Sequence, residues 1–237
     1  MTSREMDAPR AGTTAPPAGG SGDGRDAGPM AHPDRPDGLA GAIRPYRPGD
    51  QEALYRVCLR TGDGGNDASS LYSHPDLLGD VFVGPYLELQ PQFAFVVDDG
   101  SGAEGYVLGA LDSAAFATVC ERLWWPAVRA RYGGASIDQG SADAWLLRWI
   151  ETPPPVPDFA RDYPSHLHID LLPRWQSGGW GRRLIERLMA ELAAAGSTGV
   201  HLGVGRSNER AVGFYRHLGF TDLDGDDTTL WLGRPLP

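Results

Sequence analysis

The residues best placed to do chemistry lie in one short run, Gln176-Ser177-Gly178-Gly179-Trp180-Gly181-Arg182-Arg183. Before it comes the apolar run His166 to Leu172, which reads as a strand. After it, Leu184, Leu188 and Leu192 recur at helical spacing, so Gly179 to Ala195 reads as a helix. A glycine-rich turn between a strand and a helix suits a pyrophosphate. Glycine lets the backbone approach the ligand, and unpaired amides at the helix start point at the anion. The N–H groups from Ser177 to Arg182 are therefore candidates for holding a nucleotide-like group, with Arg182 or Arg183 in reach of a phosphate. Taken alone, the same run also fits a plain strand-to-helix connection.

Two further sets of residues carry chemical groups. His166, His168 and Asp170 alternate on one face of the predicted strand, with Leu167, Ile169 and Leu171 on the other. Three polar residues on a central strand imply a solvated cleft rather than a closed core. Asp170 can accept a proton or bind a cation. His168 is the other candidate base, with a pKa expected near working pH. A structural Asp–His pair is the competing reading. The second set lies in Asn208-Glu-Arg-Ala211-Val-Gly-Phe214-Tyr215-Arg-His-Leu-Gly219-Phe220. Asn208 suits a helix N-cap and Gly219 a helix stop. The Tyr215 phenol is either a proton donor or a packing group beside Phe214.

Composition excludes several functions. Every one of the 21 basic residues is arginine. A phosphate loop built on lysine, a lysine Schiff base and a lysine nucleophile are thereby excluded. The formal net charge of −10 argues against nucleic-acid binding, which needs a basic surface. It suits a cationic partner. Two cysteines, Cys58 and Cys120, supply neither a disulfide framework nor a zinc set, and read as buried small hydrophobes of a reducing cytoplasm. No metal site is expected. No run of about 18 apolar residues suggests a membrane span, and the N-terminus lacks the pattern of a secretory signal. Abundant Arg, Ala, Gly and Pro suggest a GC-rich genome.

Positioning these groups requires a folded unit that begins near residue 41. Residues 1–40 have almost no large apolar side chains and are expected to be a disordered Gly/Pro-rich tail. Ala42 to Tyr46 reads as a strand, Gln51 to Arg60 as a helix, and Pro75 to Leu89 as a second helical region. Asp63, Asn66 and Asp67 lie in the loop between them. Phe93–Val97 and Glu104–Leu111 read as a hairpin around Asp98 to Gly102. An insert, 113–163, carries four tryptophans on helices over Phe116–Arg131 and Ala142–Ile150. It is either a lid or a packed subdomain. A strand at Gly199–Val204 lies between the two motifs' helices, and a closing hairpin, Phe220–Leu223 with Thr228–Leu232, follows the second. The order β-α-α-β-β-insert-β-α-β-α-β-β indicates an α/β fold. Its sheet is mixed, mostly antiparallel and twisted, with one parallel crossover near the glycine turn.

Gln176-x-x-Gly179-x-Gly181 after the fourth strand, with Asn208-x-x-Ala211-x-x-Phe214-Tyr215-x-x-x-Gly219-Phe220, resembles the GNAT superfamily of N-acetyltransferases over residues 41–237. Three further stretches resemble a narrower group: Leu77-Leu-Gly-Asp80 to Gly84-Pro-Tyr86, Gly105-Tyr-Val-Leu-Gly-Ala-Leu-Asp112, and the tryptophan-bearing helix to Tyr132. That group is the acetyltransferase-like C-terminal domain of O-GlcNAcases and its bacterial relatives. The resemblance implies central strands that splay apart, helices on both faces of the sheet, and acetyl-CoA as acyl donor. It implies backbone contacts from Leu171 and Leu172 to the pantetheine, and Gln176 to Arg182 around the pyrophosphate. Asn208 and Phe214 would lie beside the pantetheine arm. Tyr215 is the implied general acid and Asp170 or His168 the base, with an amine, small or on a protein, as acceptor. A homodimer is common in the superfamily. The narrower group also implies an alternative, a non-catalytic acetyl-CoA-binding or protein-interaction domain.

Overall fold

In a computed structural model of the protein, the residues described are 41–134 and 137–237. The tail expected over 1–40 lies outside the described residues. Seven strands form one sheet in the order β1-β2-β3-β4-β5-β7-β6. They are β1 (Ala42–Pro45), β2 (Ala94–Asp98), β3 (Ala103–Ala110), β4 (Ser165–Leu171), β5 (Gly199–Gly205), β6 (Thr221–Gly225) and β7 (Thr229–Pro235). Neighbouring pairs run antiparallel except β4 and β5, which run parallel. The helix between those two strands supplies the crossover that a parallel pair requires.

Eight α-helices cover the sheet among the described residues. On one face lie α1 (Gln51–Thr61), α2 (Leu77–Phe82), α3 (Gly84–Leu89) and the insert helices α4 (Ser113–Leu123), α5 (Trp125–Tyr132) and α6 (Ala142–Glu151). Their buried side chains meet Tyr106, Leu108 and Ala110 of β3. A second core forms where α7 (Trp180–Ala194) and α8 (Glu209–His217) meet Val107, Leu167, Val200, Leu202 and Val204. Alternation along β3 thus sends Tyr106 and Val107 into different cores.

Two helices expected to be continuous are broken, the first at Val83 (φ −124°) and the second at Trp124 (φ −106°). Pro85 and Pro126 each sit in the first turn of the following helix. Proline lacks the N–H of a helix interior but is tolerated in a first turn, so each marks a new start.

The insert helices α4, α5 and α6 pack into one core with α1, α2 and α3. Trp125 is buried, Trp124 donates its Nε1–H to the Asp80 carbonyl at 2.8 Å, and Trp149 meets both Trp125 and Phe82. Asp80 is its hub. The buried carboxylate accepts from Tyr55 Oη at 3.0 Å, Tyr132 Oη at 2.7 Å and Arg131 Nη1 at 2.7 Å, joining α1, α2 and α5. Gly79 fits against the Tyr55 ring, where a Cβ would lie 2.5 Å from two ring carbons.

Candidate active site

The site is an opening between the two central strands. β4 and β5 pair only through Ser165↔Val200 and His166↔His201. Beyond that, β4 keeps its ladder with β3 to Leu171, and β5 keeps its ladder with β7 to Gly205. The facing edges part and leave backbone groups without a strand partner. Leu172 N–H donates to Glu104 O at 3.1 Å, which continues the β3–β4 ladder. By the alternation of antiparallel pairs, Leu171 and Ile169 then aim their N–H and C=O away from β3, into the gap. The backbone of Leu172 is already used, because its C=O accepts from Trp175 N–H at 2.8 Å.

The glycine turn closes one end of the gap. Ser177 (φ 64°) and Gly179 (φ 77°) both adopt left-handed backbone, and Gly179 is the residue before α7. Such backbone is strained for side-chain-bearing residues and natural for glycine. Gly181 serves close approach instead, since a Cβ there would lie 3.1 Å from Phe214 Cζ and 3.4 Å from Leu171 Cδ1. Arg183 N–H donates to Gly179 O at 3.1 Å as α7 begins. The amides of Trp180, Gly181 and Arg182 precede that bond and have no helical acceptor. The turn is anchored from below: Trp175 is fully buried and meets Trp180 edge to face at 4.9 Å. Gln176 Nε2 donates to Leu171 O at 2.8 Å, fastening the turn to the end of β4. The guanidinium of Arg182 pairs with Glu186 at 2.7 Å, and that of Arg183 lies over the Trp180 ring at 3.6 Å.

Asp170 sits beside the gap, on the face of β4 that looks toward α1. Its cross-strand partner is Tyr106, whose buried hydroxyl donates to Asp170 Oδ2 at 2.6 Å. Protein surrounds the carboxyl on most sides while some solvent access remains. Burial therefore raises its pKa to about 6, against the hydrogen bond from Tyr106, which acts to lower it. His168 shares that face, ringed by Phe82 and Tyr86, and burial takes its pKa down to about 4. An imidazole titrating near neutrality, expected from the sequence, is absent because desolvation disfavours its cation.

His166 is held at both ring nitrogens, by Tyr86 Oη at Nε2 and Ser113 Oγ at Nδ1, each at 2.7 Å. Ser113 Oγ also donates to Pro164 O at 2.8 Å. One proton assignment satisfies the set: Nδ1–H donates to Ser113 and Nε2 accepts from Tyr86. His166 is thus a neutral structural residue.

The opposite wall comes from α8. Tyr215 is buried among Phe214 and Phe220, and its hydroxyl makes no hydrogen bond to protein among the described residues. Burial, then the nearby Asp170 carboxylate, push its pKa well above the usual phenol range, so it stays protonated at neutral pH. Asn208 caps α8 through Oδ1 to Ala211 N–H at 3.1 Å, and its Nδ2 donates to Gly64 O at 3.0 Å. That bond ties α8 to the loop carrying Asp63, Asn66 and Asp67, with Asp67 near Arg60. Asp170, Tyr215, Leu171 and the glycine turn are therefore gathered around one opening. Sequence reasoning missed Tyr106 as a partner of Asp170, because strand register is needed to set the two side by side.

No helix among the described residues is long and apolar enough to cross a membrane. Nor is any group of His, Cys, Asp and Glu among them arranged to hold a metal ion.

Parted parallel strands, a left-handed turn and a helix start at the gap are features of the GNAT acetyltransferase fold. The profile of the Acetyltransferase (GNAT) family matches residues 152–220, the part that carries β4, the turn and α8. The crystal structure of SsHAT superposes with a TM-score of 0.77 at 40% identity, covering 83% of this chain and 98% of that one. The chain belongs to the GNAT acetyltransferase family, in the subgroup resembling the C-terminal domain of O-GlcNAcase. Protein O-GlcNAcase of Rattus norvegicus is 30% identical over 184 residues, 76% of this chain. The chain spans only 20% of that relative's length. PH1933 from Pyrococcus horikoshii, at 13% identity and a TM-score of 0.55, shares the fold.

Proposed function

We propose that this chain transfers the acetyl group of acetyl-CoA to the nitrogen of an amine by direct attack. The observation that carries the reading is the parting of β4 and β5 after two residue pairs. The reading is supported by what borders that gap: the β4 edge at Ile169 and Leu171, the amides opening α7, Asp170 and Tyr215. Acetyl-CoA, when bound, supplies the thioester carbonyl that the amine attacks. The N–H groups of Ser177, Gly178, Gly179, Trp180, Gly181 and Arg182 hold its pyrophosphate, aided by the helix dipole. The cradle fits that group, since the amides from Ser177 to Arg182 donate to no backbone acceptor among the described residues and Gly179 needs no side chain at its left-handed position. Leu171 and Ile169 offer the strand edge to the pantetheine amides, and Leu172 adds apolar contact. Gln176 keeps the turn in register with that edge, while Asn208 and Phe214 form the far wall.

Asp170 accepts the proton of the amine, directly or through one water. Its pKa of about 6 leaves it ionised at neutral pH and more basic than an ordinary aspartate. His168, at about 4, is the weaker base of the two and serves as part of the aromatic wall. Tyr215 donates its phenolic proton to the departing sulfur. The test is thiol release from acetyl-CoA across a panel of amines. Turnover that collapses in Asp170→Asn and Tyr215→Phe supports the proposal. Tight acetyl-CoA binding with no transfer to any amine refutes it in favour of a non-catalytic domain.

A further inference from the structure

We infer that Tyr106 is a positioning residue for Asp170, holding one carboxylate oxygen from inside the sheet so that the other faces the gap. The inference rests on the reading of Asp170 as base and goes one residue deeper. Tyr106 has no exposed surface, lies directly across from Asp170 in the β3–β4 register, and spends its only proton on Oδ2 at 2.6 Å. Thr61 of α1 is the other hydroxyl beside the carboxylate, and it donates to Val57 O at 2.8 Å. Two constraints follow. The carboxylate plane is fixed, because a cross-strand pair cannot slide without breaking the ladder. The hydroxyl also stabilises the ionised form, in opposition to burial.

The groups around this pair come from four elements. Tyr106 reaches from β3; Cys58 and Thr61 from α1; Tyr215 from α8; and His168 shares β4. Cys58 lies beneath the Tyr106 hydroxyl, and burial pushes its thiol pKa far up, so it stays neutral. Thr61 donates to Val57 O at 2.8 Å. His168 is neutral at working pH. No fixed positive charge stands among these groups, which leaves the Tyr106 hydroxyl as the main protein donor to the Asp170 anion.

The test is the pH profile of kcat/KM for Tyr106→Phe, which keeps the ring and removes only the hydroxyl. A hydrogen bond to a charged group is strong enough to move the acidic limb upward by about one to two pH units. At pH 6 the rate should fall roughly five- to fiftyfold, the loss should shrink toward pH 9, and KM for acetyl-CoA should stay within about twofold. Y106F/D170N should be no slower than D170N. A limb that stays in place in folded Y106F overturns the inference while D170N still reports the base. A D170N enzyme with the parent profile overturns the base reading as well. Should Y106F fail to fold, difluorotyrosine placed at position 106, a stronger donor, must move the limb to lower pH; an unmoved limb is again a refutation.

Discussion

Gly179→Glu is the sharpest perturbation of the cradle, and its effect splits into two terms that can be measured apart. Gly179 has φ 77°, and a Cβ built on it meets nothing within 4 Å. There is no steric clash, so the fold pays only for left-handed backbone, about 1–2 kcal/mol. In a domain of this size that lowers Tm by roughly 2–8 °C. Gly179→Ala carries this term alone. The glutamate adds a negative charge within about 6 Å of a diphosphate. At an effective dielectric constant near 40 that repulsion is about 1.4 kcal/mol per charge pair, or close to 3 kcal/mol against two charges. Acetyl-CoA affinity should therefore fall about 100-fold in G179E and only a few-fold in G179A, with equal losses of Tm. Calorimetric titration at two salt concentrations is the assay, because added salt must narrow the gap between the variants. Equal affinity in folded G179E and G179A would remove the turn from the cofactor site and with it the reasoning about α7.

Three more outcomes follow from the geometry. Tyr215→Phe should lower kcat by about 10²–10⁴-fold with acetyl-CoA binding unchanged, read by single-turnover thiol release; a drop under threefold means another acid protonates the sulfur. Asp170 has a folded pKa raised from 3.8 to about 6. Its contribution to stability is thus fully present below about pH 4 and lost as pH rises through 6. Asp170→Asn should accordingly stabilise the fold at pH 7.5 by up to about 2–3 kcal/mol relative to the parent, and by almost nothing at pH 3.5, measured by urea unfolding at both values. A stability difference from the parent that is the same at both pH values contradicts the burial argument. Asp80→Ala strips the shared acceptor from Tyr55, Tyr132 and Arg131. With Arg131 largely open to water, a loss of about 2–4 kcal/mol is expected by chemical unfolding, and one under 1 kcal/mol would show that the hub is dispensable.

The parts of this architecture that depend on local periodicity were legible in the sequence. The alternation His166-Leu-His-Ile-Asp170-Leu171 announced a strand with two unlike faces, and Leu184, Leu188 and Leu192 announced α7. Gly179 was readable as a turn residue, and its left-handed φ is the physical reason. Val83 and Trp124 were misread as helix interior, although Pro85 and Pro126 carried the signal that each helix restarts there. What could not be read was anything set by register or burial. Tyr106 and Asp170 are 64 residues apart along the chain. Only the antiparallel ladder makes them neighbours. The fate of His168 was equally hidden, because its chemistry is set by Phe82 and Tyr86, which arrive from helices on the far side of α1 in the chain order.

That asymmetry bears on how the site works. On the proposed reading the cofactor half rests mainly on backbone within residues 165–182, namely a turn, two left-handed residues and a strand edge, with Asn208 and Phe214 as its far wall. The proposed proton-transfer half rests on side chains from β3, β4 and α8, which converge only when the sheet is complete. Loosening of the insert, for example by loss of the Asp80 hub, would therefore disturb the α1–α2 side that backs Asp170 and His168 before it reached the turn. The two halves should separate experimentally: an Asp80 variant that stays folded should keep acetyl-CoA affinity while its acid limb broadens or moves. If cofactor affinity falls first instead, the insert supports the α7 cradle, and the division between a local cofactor half and a long-range catalytic half is wrong.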